Sequence, residues 1–207
     1  MARIVVFNNV TLDGVMQAPG RPDEDRRGDF EHGGWGQPYA ESVFAVIADR
    51  AATPKPLLLG RRTYEDFASV WPHMPDDIPY TSVINNCRKY VASTTLSEPL
   101  EWNNSVLLTG DLATAVAKLK EQENEDITVL GSGELIQSLM KDGLVDEYVL
   151  LIHPLVLGSG RHHFPAGSPL TNFDLVDSVT TTTGVIIATY RPVGQAVASS
   201  SDGRNTQ

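Results

Sequence analysis

Cysteine is almost missing. Cys87 is the only one in 207 residues. No intramolecular disulfide can form, so a disulfide-stapled scaffold is excluded, and a reducing, cytoplasmic setting is expected. The same scarcity excludes a zinc site built on paired cysteines. Positive charge is also short: 16 Lys and Arg stand against 26 Asp and Glu, a formal net charge of -10. Such an acidic body repels nucleic acid and anionic lipid, and neither is expected as a partner. Long apolar runs are absent. The longest, residues 148–158, is broken by His153 and Pro154 and is too short to span a bilayer. The opening MARIVVFNNV reads as a strand and not as a signal peptide. A full G-x-G-x-x-G fingerprint is lacking too, because Ile136 stands where the third glycine belongs.

What is present is an ordinary globular mix, 41% apolar and 20% charged, at a length that suits one domain. The chain is organised around residues 127–140, ITVLGSGELIQSLM. Ile127, Val129 and Leu130 form a short buried strand. Gly131, Ser132 and Gly133 break it, and Leu135, Ile136, Leu139 and Met140 then share one helix face. A strand that ends in glycines and feeds a helix offers unpaired N–H groups and a partial positive charge to an anion. A tight turn with no ligand uses the same glycines, and this stretch alone leaves both readings open.

A second junction of this kind follows residues 55–59. There Gly60-Arg61-Arg62-Thr63 leads into a helix with Tyr64, Phe67, Ala68 and Trp71 on one face. The helix dipole disfavours cations at an N-terminus. Two arginines placed there point to an anionic ligand, for which their planar forks are suited. Residues 89–93 form another strand, followed by Ser93, Thr94 and Thr95, whose hydroxyls serve either a phosphate or a turn. Residues 3–10, 106–108, 145–152, 173–182 and 185–191 read as further strands, the last two as a hairpin around Gly184. Helices are expected over residues 43–51 and after Asp111, a plausible N-cap. Residues 17–38 have no apolar period. They read as a lid or as a solvated excursion, and Trp35 among glycines favours the lid. Alternating strands and helices with a closing hairpin predict a three-layer α/β fold, its central sheet mostly parallel with an antiparallel edge. Residues 1–193 are expected to form a single domain and residues 194–207 a disordered polar tail.

The ordered set TLDG, LLLGRRTYE, KYVASTTL, VLGSGELIQSL and DEYVLLIHPLVLGSGRHHF resembles the dihydrofolate reductase superfamily. It is most similar to the branch of the riboflavin-biosynthesis reductase domain and its stand-alone relatives. The resemblance covers residues 3–192 and implies a dihydrofolate-reductase-like fold, an NADPH cofactor and a homodimer. It implies that Gly60, Arg61, Arg62 and Thr63 hold phosphates, with Arg61 or Arg62 on the ribose 2′-phosphate. It places Ser93, Thr94 and Thr95 beside the adenosine end, and Gly131, Ser132, Gly133 and Glu134 at the pyrophosphate turn. It sets Asp13 near nicotinamide and substrate, and Gly158 and Gly160 in a special late turn. The implied activity is hydride transfer to a small heterocyclic or carbonyl-like compound, related to the riboflavin-pathway pyrimidine reductase.

Two alternatives remain: a catalytically inactive nucleotide-binding module acting as sensor or partner, and a true dihydrofolate reductase. The second needs an acid on the first helix, where this chain has Phe44, with Glu41 about a turn away. A zinc deaminase partner domain needs H-x-E and C-x-x-C patterns, which one cysteine rules out of this stretch. His32, His153, His162 and His163 match no ligand spacing, and no metal is expected. Hydride chemistry belongs to the cofactor. Asp13 is therefore the one candidate proton donor, though an aspartate in a turn also serves its own backbone. Asp13, Trp35 and Phe44 are the expected substrate contacts.

Overall fold

The computed structural model describes residues 1–51, 54–75, 77–78 and 80–193; the expected tail, residues 194–207, lies outside them. The strands are β1 (Ile4–Thr11), β2 (Leu57–Gly60), β3 (Lys89–Ala92), β4 (Ser105–Leu108), β5 (Ile127–Leu130), β6 (Glu147–His153), β7 (Asn172–Thr180) and β8 (Ile186–Val193). The helices are α1 (Ala40–Ala51), α2 (Arg61–Val70), α3 (Thr81–Asn86), α4 (Leu112–Gln122) and α5 (Gly133–Lys141). All eight strands join one sheet in the order β4-β3-β2-β5-β1-β6-β8-β7. Pairing is parallel from β4 across to β6, and antiparallel where β8 meets β6 and β7. The expected three-layer α/β architecture with its antiparallel edge is what the chain forms.

Register separates the two faces. Val6 lies level with Val129, and Leu58 with the same Val129. These three pack with Val116 and Leu119 of α4 and Leu135, Ile136 and Leu139 of α5. On the opposite face Leu57 and Leu59 pack with Tyr64 and Phe67 of α2, while Val149 and Leu151 pack with Val43 of α1. Strands covered on both sides read as continuous apolar runs, as β2 (LLLG) and β6 (EYVLLIH) do. Helix α5 forms because its buried residues recur at helical spacing. Helix α4 starts at Asp111, whose carboxylate accepts from Thr114 N–H at 2.9 Å. Helix α3 has six residues, too few to show a period in the sequence.

The sheet end remote from the helix N-termini is fixed by an unusual residue. Lys89 is fully buried, and its ammonium donates to the carbonyls of Asn85, Cys87 and Asn103, each at 2.9 Å. The same Nζ lies 4.3 Å from the Trp102 ring centroid. Burial lowers its pKa, and the three carbonyls satisfy each of its donors. Lys89→Met strands those carbonyls, and a loss of about 3 kcal/mol is expected, read from the urea midpoint at unchanged slope.

Candidate functional site

Inserting β5 between β2 and β1 brings the two glycine junctions side by side. Gly60 N–H donates to Ser132 Oγ at 2.9 Å, and Ser132 N–H donates to Thr63 Oγ1 at 3.0 Å. Arg62 meets Glu134 at 2.9 Å across the same seam. Helices α2 and α5 leave the sheet on opposite faces, so a crevice opens at the carboxyl ends of the strands, where the winding reverses. Neither helix has a side-chain cap, and their N-cap positions are Gly60 and Ser132. The first-turn N–H groups of both therefore remain available to an anion.

The turn at Gly131 is held from behind. Asn8 on β1 accepts from Gly131 N–H at 2.8 Å and donates to Gly131 O at 3.2 Å, so one amide completes both backbone groups. The second Nδ2 hydrogen of Asn8 faces Nδ1 of buried His163 at 3.3 Å. Gly131 has φ of +57°, and a Cβ there would approach the Thr63 side chain to 3.2 Å. Both conformation and space thus call for glycine.

The cleft encloses about 1070 Å³. Its floor includes Gly60, Ser132 and Gly133; Leu108, Gly110 and Leu112 line one end. On the α2 side Phe67, Trp71, Ile84 and Leu130 pack in one cluster and line the cleft, which Phe7 and Asn9 line as well; this apolar stretch is termed the bay. The loop over residues 16–27 closes one wall, and it is not a solvated excursion. Arg21 pairs with Asp66 of α2 at 2.5 Å, and Gln17 Nε2 donates to the carbonyls of Asp25 and Arg27. Five arginines line the cleft: Arg26, Arg27, Arg61, Arg62 and Arg161. Three converge on one carboxylate, with Arg62, Arg161 and Arg27 at 2.9, 3.4 and 4.0 Å from Glu134 Oε1. Arg27 Nη1 is buried and makes no hydrogen bond. Arg27 is also paired with Asp25 and Arg61 with Glu65, so the five arginines share the cleft with the carboxylates of Glu24, Asp25, Asp66 and Glu134, on an otherwise acidic protein.

The expected site residues divide. Gly60, Arg61, Arg62, Thr63, Ser93, Thr94, Thr95, Gly131, Ser132, Gly133 and Glu134 all line this cleft. Asp13, Trp35 and Phe44 are not among its lining residues. The Asp13 carboxylate is occupied by the Thr11 hydroxyl and by the N–H groups of Leu157 and Gly158. The Thr11 hydrogen bond above all holds its carboxyl below the usual range. Trp35 is buried against Val15, Ala18 and Phe30, and its Nε1 donates to Gln17 O at 2.7 Å. It anchors the loop. Phe44 packs edge-on against Tyr80. The late turn does have a special geometry: Gly160 has φ of +117°, and a Cβ would strike Phe30 and Val15 at 2.7 Å.

Arg27, Asn8 and Asn9 lie outside every motif, and Arg161, His153 and His163 lie inside the last one with no role assigned to them. Their one signal was Asn8-Asn9, two amides inside a strand otherwise apolar enough to be buried on both faces. Each meets a buried histidine. His163 Nδ1 faces Asn8, and His153 Nε2 lies 2.8 Å from Asn9 Oδ1.

The RibD C-terminal domain family matches residues 2–187. The uncharacterised protein YyaP of Bacillus subtilis (strain 168) is 28% identical over 191 residues, covering 91% of this chain and 94% of its own. YwjB of the same organism is 27% identical over 125 residues, or 60% of this chain and 65% of its own. Among solved structures, a protein from Shewanella sp. PV-4 described as a riboflavin biosynthesis protein superposes with a TM-score of 0.63. It is 23% identical, and the match covers 94% of this chain and all of that one. A pyrimidine reductase-like protein from Corynebacterium diphtheriae gives 0.58 at 13% identity, covering 94% of this chain and 93% of its own. Acinetobacter baumannii RibD gives 0.61 at 15% identity, covering 94% of this chain and 59% of its own. At these identities the structures share the fold.

Burial holds both His153 and His163 down to about 4, from an ordinary 6.5. A lowered pKa means that the unfolded chain binds the extra protons, so stability is lost as pH falls from 6.5 towards 4. Asp13 and Asp126 have lowered carboxyl pKa values and lose their contribution only below 3.8. Roughly 2 kcal/mol per histidine should disappear between about pH 7 and about pH 4.5, measured by urea unfolding at each pH. His163→Phe should flatten that dependence.

Proposed function

The chain belongs to the RibD C-terminal domain family, and on that premise we propose that it is a cytoplasmic NADPH-dependent reductase. It would act on a small heterocyclic or carbonyl-like compound, in the manner of the pyrimidine reductase of riboflavin biosynthesis. The carrying observation is the pair of uncapped helix N-termini set side by side in an arginine-lined cleft. Its volume of about 1070 Å³ suits a dinucleotide with a small ring beside it. The residues fit such a cofactor: α2 and α5 present N–H donors, Gly131 permits close backbone approach, and Arg27 Nη1 lacks an acceptor.

When bound, NADPH supplies the hydride. In this reading Gly60, Thr63, Gly131, Ser132 and Gly133 cradle the pyrophosphate. Arg61 and Arg62 receive the 2′-phosphate, and Ser93, Thr94 and Thr95 border the adenosine end. Arg62 would be shared between Glu134 and a phosphate, and Glu134 would hold Arg161. The apolar bay holds the ring and keeps water from it. Asp13 serves this mechanism through structure, by tying β1 to the turn at Gly158.

The reading includes a homodimer. The outer strand supports it, since among the described residues β7 ends the sheet, with Leu175, Val176 and Val179 exposed. Among the described residues no helix is long and apolar enough to cross a membrane.

Titration with NADPH and NADH, followed through tryptophan emission, tests the cofactor. NADPH should bind more tightly. Alanine at both Arg61 and Arg62 should weaken it about tenfold or more, each charged hydrogen bond being worth roughly 1.5–3 kcal/mol. Equal affinity of the wild type for the two nucleotides contradicts the assignment. Oxidation of bound NADPH by a panel of oxo-heterocycles, read by absorbance, then tests turnover. Light scattering at twice the chain mass is the result expected for the dimer.

A further inference from the structure

The two asparagines of β1 point to opposite faces of the sheet, as neighbours on a strand must. Each has a buried histidine behind it. Asn8 is fully used, because its amide faces His163 and closes both backbone groups of Gly131. Among the described residues Asn9 makes one side-chain hydrogen bond. Its Oδ1 lies 2.8 Å from His153 Nε2, and an amide oxygen can only accept, so Nε2 carries the hydrogen. The Asn9 Nδ2 donors are thereby turned away from His153, and Asn9 lines the cleft.

The surroundings hold this orientation. His153 is 1% exposed, and Trp35 and Tyr39 pack edge-on against it at 5.1 and 5.0 Å. Its Nδ1 is buried without a partner. A second ring proton there would lack an acceptor, so the neutral tautomer that donates from Nε2 is retained. Asn9 follows Phe7 by two residues and shares its face; Phe7 lies level with Leu130. Among the bay-lining residues Phe7, Phe67, Trp71, Ile84, Leu130 and Asn9, the asparagine alone carries an amide. A flat ring held by apolar walls has its rotation fixed by the polar groups it meets.

We propose that Asn9, aimed by His153, selects and orients the heterocyclic ring of the substrate, donating from Nδ2 to an oxo group on that ring. This rests on the reductase reading for the ring's presence, and it adds the residue that sets specificity. Asn9 is the binding residue. His153 is a positioning residue, acting only through Asn9.

The test uses the full chain and two neutral probes of one shape, uracil and 2,4-diaminopyrimidine. Equilibrium dialysis is run with saturating NADP⁺ and with none, at a pH where both probes are uncharged. The wild type should hold uracil at least tenfold more tightly than the diamine. Asn9→Leu should lose that preference, and Asn9→Asp should reverse it, since a carboxylate accepts where the amide donates. His153→Phe should lower the uracil preference several-fold, and His153→Gln, which can still donate to Oδ1, should restore it. NADPH affinity should stay within twofold in every variant, which also reports that each is folded. Equal binding of the two probes by the wild type, no uracil binding, or an unchanged preference in Asn9→Leu overturns the proposal. A wild type that fails to take NADPH defeats the reductase reading, and the cofactor-free dialysis still decides the role of Asn9.

Discussion

The cleft depends on the pair of hydrogen bonds between the Asn8 amide and the backbone of Gly131. A strand that stops inside a sheet leaves an N–H and a carbonyl that need partners. Asn8 supplies both from the neighbouring strand. The turn can then take its left-handed course through Gly131 and Ser132 and deliver the start of α5 to the crevice. Ser132 reaches the other way to Gly60 N–H, and Thr63 returns a bond to Ser132 N–H. Three parallel strands are thus stitched at their carboxyl ends by side chains, where the main-chain ladder has run out.

Electrostatics give this stitched edge its character. The protein as a whole is acidic, yet its crevice gathers arginines from a loop, from α2 and from the turn before His162. Held apart by the fold, they repel one another, and Glu134 offsets part of the repulsion from the first turn of α5, where the helix dipole also favours an acid. A polyphosphate entering such a place meets charges already fixed in position. Less side-chain entropy then remains to be lost on binding.

The sequence made the frame legible and left much of the site hidden. Strands and long helices announce themselves locally, through apolar period, glycine and the cap at Asp111. The two glycine junctions were visible for the same reason. Arg161 and His153 were not, because what they meet is far away in the chain: Asn9 and His153 are 144 residues apart, and Asn8 and His163 are 155 apart. Trp35 shows where a local reading runs out. A large ring among glycines fits a lid and fits an anchor equally well, and the choice is made by Leu155, Leu157 and His153 on a distant segment. Asp13 is similar. A turn aspartate is expected to serve either chemistry or backbone, and the N–H groups at 157 and 158 that its carboxylate meets are out of sight in the sequence.

The placement of Asn8 and Asn9 on one strand has a genetic consequence. Their division of labour rests only on strand parity, since adjacent residues face opposite sides. Loss or gain of one codon before Asn8 would shift that parity and turn each amide to the opposite layer, leaving at most one of the two opposite a histidine. The outer strand β7 already accommodates one irregularity, between Leu175 and Asp177, at a solvent-facing edge. The opening strand has no such freedom, because β5 and β6 flank it and both its faces are covered. Variation by insertion and deletion is therefore channelled to the periphery of the sheet, and the opening strand can diverge only by substitution.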